Sequence, residues 1–369
     1  MKRVLVWYGG RSPAIERLSA RLIHHLRQIR PQLAIAMLAN DANPYLPGLE
    51  SERIRVFRTK APSGLSAPGQ VLMSGPRHAR MLLQALSEMR PDVVLITMNF
   101  ALAWPLVMLC RLKSVPVILL VHDPEPHAGD YAPLWQQLSQ TWLIRQTSGV
   151  VALSSWSAQR LLDCGRPVSV WPINLFSPPT RRALPNPRSG GAVRFLFLGR
   201  MIAYKGLEQL HAACLQLKSE PGWSLTLAGD GPIGPWAKEA FADMPQVRLD
   251  AIRTLSEAEI DFMFATHDVV VCPYTDATQS AVVSEALYAG RPVIVTAVGG
   301  LPEQVRTGYS GLVLPAGNAA ELANAMLRLM TEAGLLEVLA EGAAETVDPR
   351  VIDHAWHRHI AELEATLGA

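Results

Sequence analysis

Arg194-Phe-Leu-Phe-Leu-Gly199-Arg200-Met-Ile-Ala-Tyr204-Lys205-Gly206 is an apolar run closed by a glycine and followed by two cations five positions apart. Such a run, apolar without alternation, predicts a strand buried on both faces, as in a parallel sheet. Arg200 and Lys205 then fall just beyond the carboxyl end of that strand, where open α/β sheets bind their ligands. Two fixed cations there suit a diphosphate, because a planar guanidinium grips two oxygens while an ammonium adds a point charge. Two solvated surface side chains would give the same letters.

Two later stretches repeat the design. Trp223-Ser-Leu-Thr-Leu-Ala-Gly229-Asp230-Gly231-Pro232 is again an apolar run ending in a glycine turn. Glycines let a backbone come close to a flat ligand, although Asp-Gly is also ordinary turn chemistry. Residues 268–303 read strand, loop, helix, strand, loop, with Thr278 or Ser280 as helix cap, Gly290 ending the helix and Pro292 following it. The start of that helix offers N–H donors and a partial positive charge, a place for phosphate. Asp276, Thr278, Gln279 and Ser280 line the loop before it. Glu285 lies more than a turn inside, able to accept from ribose hydroxyls or simply to face solvent.

In order, the motifs are Leu198-Gly199-Arg200-x4-Lys205-Gly206, Ala228-Gly229-Asp230-Gly231-Pro232, Pro273-Tyr274-x-Asp276-Ala277-Thr278-Gln279-Ser280 and Gly290-x-Pro292-Val-Ile-x-Thr296-x-Val298-Gly299-Gly300-Leu-Pro302-Glu303. This series resembles the group 1 (family 4) retaining glycosyltransferases of the GT-B fold. The resemblance implies two doubly wound, Rossmann-like α/β domains facing a cleft. It implies that Arg200 and Lys205 hold the donor diphosphate, that Glu285 holds the ribose, and that the loop before the helix meets the transferred sugar. One departure stands out: the family's paired glutamates, eight positions apart, would fall at 277 and 285, and position 277 is Ala277. Asp276 or Thr278 is the replacement the loop offers.

The 369 residues, 49% of them hydrophobic, are enough for two domains with separate cores. Cys110, Cys164, Cys214 and Cys272 are scattered, with neither disulfide nor zinc spacing, which fits a reducing cytoplasm. The amino-terminal run is too short for a signal peptide, and the apolar region 93–121 is broken by Pro105, Arg111, Lys113 and Pro116, which excludes a membrane span. Charge is divided. Residues 1–188 carry 22 Lys+Arg against 10 Asp+Glu, and residues 189–369 carry 12 against 22. A basic first half calls for an anionic partner: a membrane surface, a lipid diphosphate acceptor or, least fittingly without any nucleic-acid motif, nucleic acid. Residues 76–90 mix cations with apolar residues as an interfacial helix does, and equally as a helix packed on its own sheet does.

Along the first half, residues 2–8 form a strand leading to Gly9, Gly10 and a helix capped by Ser12 with Pro13 first, running to about Gln28. Gly9 and Gly10 are a candidate approach point for phosphate or sugar, or plain loop. Residues 41–70 read as a loop with a short strand near 54–57, a candidate part of the acceptor site. The strand 115–121 delivers His122 and Asp123 to its carboxyl end, where a polar reaction centre would sit. By the resemblance His122 contacts donor sugar or acceptor; His127 is a weaker candidate. The expected domains are 1–172, a linker 173–192, 193–349, and a terminal helix 350–369 crossing back to the first domain. The expected activity is metal-independent, retaining transfer of a hexose from a nucleotide diphosphate sugar to a glycan or glycolipid hydroxyl, at the cytoplasmic face of the membrane, with no other cofactor. A GT-B sugar-nucleotide epimerase or hydrolase, or a non-catalytic binding subunit, are the alternatives.

Overall fold

The computed structural model describes residues 1–10, 12–60, 67–99, 103–125, 133–176 and 191–368. The chain divides into two units: residues 1–179 with 352–369, and residues 180–351.

In the first unit strands and helices alternate from the start: β1 (Arg3–Tyr8), α1 (Pro13–Ile29), β2 (Ala34–Asn40), α2 (Leu46–Ser51), β3 (Arg55–Thr59), α3 (Ala67–Met89) and β4 (Val93–Ile96). They continue through α4 (Ala103–Leu112), β5 (Val117–Val121), α5 (Pro133–Gln146), β6 (Gly149–Ala152), α6 (Ser155–Arg160) and β7 (Val168–Val170). The strands form one parallel sheet in the order β3-β2-β1-β4-β5-β6-β7, so the winding reverses between β1 and β4. Short runs such as Val-Val-Leu-Ile in β4 are buried throughout, because helices cover both faces of a doubly wound sheet. Leu5 and Trp7 of β1 share one core with Leu82, Ala85 and Leu86 of α3, Leu106 and Val107 of α4, and Leu143 and Ile144 of α5.

The second unit follows the same rule: β8 (Val193–Leu198), α7 (Leu207–Gln216), β9 (Trp223–Gly229), α8 (Gly234–Ala240), β10 (Val247–Ile252), α9 (Glu257–Thr266), β11 (Val269–Cys272) and α10 (Ala281–Tyr288). Then come β12 (Val293–Thr296), α11 (Leu301–Gln304), β13 (Gly311–Leu314), α12 (Ala319–Thr331), α13 (Leu335–Thr346) and α14 (Pro349–Gly368). Its parallel sheet runs β10-β9-β8-β11-β12-β13, reversing between β8 and β11.

From Ile352 onward α14 belongs to the first unit. Trp356, fully buried, donates from Nε1 to the Leu175 carbonyl at 3.0 Å, stacks on His25 and meets Trp171 and Phe176 edge-on.

Two expectations need correction, and one open alternative is decided. The stretch 41–70 is not mostly loop: Asn40 and Asn43 side chains accept from the N–H groups two residues on, a turn that launches α2, and α3 starts at Ala67. Residues 173–176, placed in the linker, form a 3-10 turn whose Ile173, Leu175 and Phe176 are buried. Of the two readings of residues 76–90, the structure has the helix packed on its own sheet: the apolar side is spent on the molecule's own core, with His78, Leu82, Ala85 and Leu86 buried.

Candidate functional site

In each unit the candidate residues collect where the winding of the sheet reverses, the place at which such sheets leave a crevice beyond their carboxyl ends.

In the second unit four loops interlock there. Gly229, at the end of β9, has φ +140, and a Cβ on it would collide with the Gly199 carbonyl. The Met201 N–H donates to the Asp230 carbonyl, and Ile233 N–H donates back to Met201. Across the sheet, Gly299 (φ +51) lies so close to Ala277 that a Cβ would strike the Ala277 carbonyl, while Gly300 N–H donates to Thr278 at 2.9 Å. Read from the sequence, these glycines admit a ligand; in the structure they admit each other's backbone. That contact ties the loops after β8 and β9 to each other, and the loops after β11 and β12 likewise.

The cations ride on this frame. Arg200 is exposed, and its guanidinium has no hydrogen-bond or ion-pair partner among the described residues. Lys205 closes a 3-10 turn, Ala203–Lys205, tied to the next loop by Thr275 N–H donating to the Tyr204 carbonyl at 2.8 Å. Its Nζ sits 3.6 Å from the centroid of the buried Tyr274 ring and 5.2 Å from that of Tyr204. Two aromatic faces thus seat the ammonium. Burial raises the Tyr274 phenol well above its ordinary pKa, and its oxygen lies 3.4 Å from Ser280 Oγ.

The first turn of α10 completes the group. Ser280 takes the cap position, yet its hydroxyl accepts from no helix N–H, which corrects the expected serine or threonine cap. Its backbone is clamped instead by the buried Gln304 amide, which accepts from Ser280 N–H at 2.8 Å and donates to the Ser280 carbonyl at 2.9 Å and to Ser284 Oγ at 3.0 Å. The helix start is therefore left with the N–H groups of Ala281, Val282 and Val283, and Val282 is the side chain nearest Gly199. Ala277 and Thr278 are buried, whereas Asp276, Gln279 and Glu285 are half-buried. The Asp230 carboxylate accepts from Thr254 Oγ1 at 2.7 Å. An open pocket lined by Trp223, Leu225, Phe262, Met263 and His267 contains none of these residues.

In the first unit Gly9 and Gly10 follow β1, Thr97 follows β4 and His122 with Asp123 follows β5, three adjacent strands. His122 Nε2 lies 2.8 Å from the Thr97 carbonyl. A carbonyl only accepts, so Nε2 carries the proton and Nδ1 is the acceptor side of the neutral ring. Burial lowers the His122 pKa below the ordinary histidine value, outweighing Asp123 and the Thr97 bond, both of which raise it. Ser19 Oγ donates to the Ile15 carbonyl and thus accepts from Thr97 Oγ1, at 2.7 Å, which ties α1 to the end of β4. The Gln140 side chain donates to the Asp123 carbonyl at 2.7 Å and so fastens the loop after His122 to α5. His127 lies outside the described residues.

Tyr274, Gln304, Thr97, Ser19 and Gln140 were not legible as site residues. Tyr274 stood in a quoted motif beside a strand end, which is a usable signal. The others are polar residues whose partners lie 24, 25, 78 and 17 positions away, with nothing local to mark them.

Residues 13–173 match the glycosyl transferase 4-like domain, and residues 192–332 match the glycosyl transferases group 1 domain. Glycogen synthase of Mycobacterium tuberculosis is 26% identical over 267 residues, covering 69% of this chain and 64% of that protein. The D-inositol 3-phosphate glycosyltransferase of Streptomyces bingchenggensis is 34% identical over 189 residues, 47% of this chain and 41% of that protein. The chain thus spans less than two thirds of the length of these curated relatives. Among solved structures, Anabaena HepE in complex with UDP and glucose superposes with a TM-score of 0.74 at 18% identity, covering 98% of this chain and all of that one. A likeness at that identity speaks for the fold, and the fold is GT-B.

Proposed function

The chain belongs to the group 1 glycosyltransferases, and from that premise we propose that it is a retaining hexosyltransferase. It takes its sugar from a nucleotide diphosphate donor, and its acceptor is the hydroxyl of a glycan or glycolipid. The observation that carries this reading is the pair of cations on the interlocked loops of the second unit: Arg200 exposed and uncompensated among the described residues, and Lys205 held on the Tyr274 ring beside the start of α10.

Departure of the diphosphate breaks the bond between the anomeric carbon and a phosphate oxygen, and negative charge grows on that oxygen. Arg200, Lys205 and the N–H groups at the start of α10 stabilise this charge; Lys205 on its ring and the helix N–H groups are oriented beforehand, and Arg200 closes on the diphosphate from solvent. The acceptor oxygen bonds to the anomeric carbon on the face the diphosphate leaves, and the proton released from its hydroxyl passes to the departing phosphate oxygen. With this charge supplied by side chains and a helix start, no divalent metal is required. Glu285 accepts from the ribose, and the half-buried Asp276 and Gln279 take the sugar contacts that Ala277 lacks. His122, held at the carboxyl end of β5 by its Nε2 contact with the Thr97 carbonyl, meets the donor sugar or the acceptor hydroxyl.

The test is release of UDP, GDP or ADP from a panel of donor sugars, followed with and without acceptors. Arg200→Ala is expected to lower transfer at least ~100-fold. Activity within a few-fold of wild type would remove Arg200 from the site. Nucleotide release with an epimerised sugar and no acceptor product would replace the transferase reading with an epimerase one.

A further inference from the structure

The helices α4 and α5 lie against each other on one face of the first unit's sheet. Their inner sides are used: Ala103, Leu106, Val107, Cys110, Leu143 and Ile144 are buried in the core. Their outer sides carry a second apolar stripe. Trp104, Met108 and Leu112 follow one another at successive turns of α4, and Leu138 and Trp142 do the same on α5. Trp104 meets Trp142 edge-on at 5.6 Å, so the stripe is continuous across the two helices. Leu112 is 79% exposed, Leu138 68% and Trp104 45%. Single apolar side chains on a surface need no explanation, but a gathered set of two tryptophans, two leucines and a methionine does.

The charges that the two helices carry have one sign. Neither helix contains an aspartate or glutamate, while Arg111, Lys113 and Arg145 are exposed along it and Arg166 sits beside Arg145. None of the four makes an ion pair among the described residues; Arg111 donates to the Gln146 amide oxygen and Arg166 to the Arg145 carbonyl, both neutral acceptors. Among the described residues the four cations therefore have no carboxylate partner, in a half-chain that carries 22 Lys+Arg against 10 Asp+Glu.

We propose that the outer face of α4 and α5 is a docking surface for an anionic lipid bilayer. Trp104, Trp142, Leu112 and Leu138 enter the boundary between headgroups and acyl chains, where amphipathic rings are favoured, and Arg111, Lys113, Arg145 and Arg166 hold the lipid phosphates. A protein partner is matched by a mixed pattern of charges, whereas two helices that flank an apolar stripe with cations and carry no carboxylate match a continuous negative surface. The inference does not depend on the transferase reading, because bilayer binding needs no donor.

The experiment sediments the full chain with vesicles of phosphatidylcholine alone and of phosphatidylcholine with phosphatidylglycerol, and follows tryptophan emission. Binding is expected on the anionic vesicles only, with a blue shift and a decline as salt rises. Leu112→Ser with Leu138→Ser is expected to weaken it about tenfold. Each of Arg111→Gln, Lys113→Gln and Arg145→Gln is expected to weaken it about fivefold, all at unchanged melting temperature. Leu215→Ser, at an exposed leucine of the second unit, leaves binding as it was. Equal binding to neutral vesicles, or undiminished binding by the double-serine variant, would overturn the proposal. So would a stable complex with itself or another protein through this face in a chain that ignores vesicles.

Discussion

Replacing Lys205 by methionine removes one charge and keeps most of the side chain's bulk. In the structure its Nζ rests 3.6 Å from the Tyr274 centroid, which is a half-buried cation–π contact worth about 1 kcal/mol. In a domain of this size that loss lowers the melting temperature by about 2–4 °C. The effect on transfer is expected to be larger, because the charge acts chiefly when the diphosphate leaves. One lost preorganised donor costs about 100-fold in kcat, or about 2.7 kcal/mol. The assay is nucleotide release at saturating donor beside a melting curve of the same preparation, with Tyr274→Phe and Tyr274→Leu as companions. Tyr274→Phe keeps the ring that seats the ammonium and stays within about threefold of wild type, whereas Tyr274→Leu removes that seat and loses about tenfold. A Lys205→Met enzyme retaining a third or more of wild-type kcat would refute the reasoning. Indistinguishable Tyr274→Phe and Tyr274→Leu variants would refute the seating.

Transfer persists in excess EDTA if side chains and a helix start supply the countercharge; loss on chelation that added metal restores would contradict that. Gly299→Ala drives a Cβ into the Ala277 carbonyl at φ +51, costing about 1–3 kcal/mol. Donor affinity measured by calorimetry should fall with the melting temperature, and unchanged affinity would uncouple that contact from the site. His122 has a folded pKa below the ordinary 6.5, so the stability it contributes is complete above 6.5 and is lost as pH falls through the lower folded value. Denaturant curves of wild type and His122→Gln should therefore converge with acidification in that window and stay parallel above pH 7. A difference independent of pH would deny the shift.

The fold was legible because the central parallel strands are short, mostly apolar runs ended by glycine or a polar turn, as at Leu198-Gly199 and Ala228-Gly229, while the edge strands β3 and β10 carry charges. What escaped the sequence was long-range. The Asx turn that starts α2 and the burial of residues 173–176 depend on neighbours that local patterns do not reveal. The same holds at the candidate sites. Arg200 and Lys205 announce themselves by type and by their place after a strand. The Gln304 clamp on Ser280 and the Ser19–Thr97–His122 chain join residues far apart in sequence. Residues 76–90 left two readings open for a related reason, since a periodic apolar face states that something will be covered without saying by what.

Trp356 also bears on the order of events at the ribosome. Residues 352–369, which fill a socket made by His25, Trp171 and Phe176, are synthesised only after the whole of 180–351. The half of the chain that emerges first is thus the half finished last, and until then its tryptophan socket stands open to chaperones and to neighbouring nascent chains.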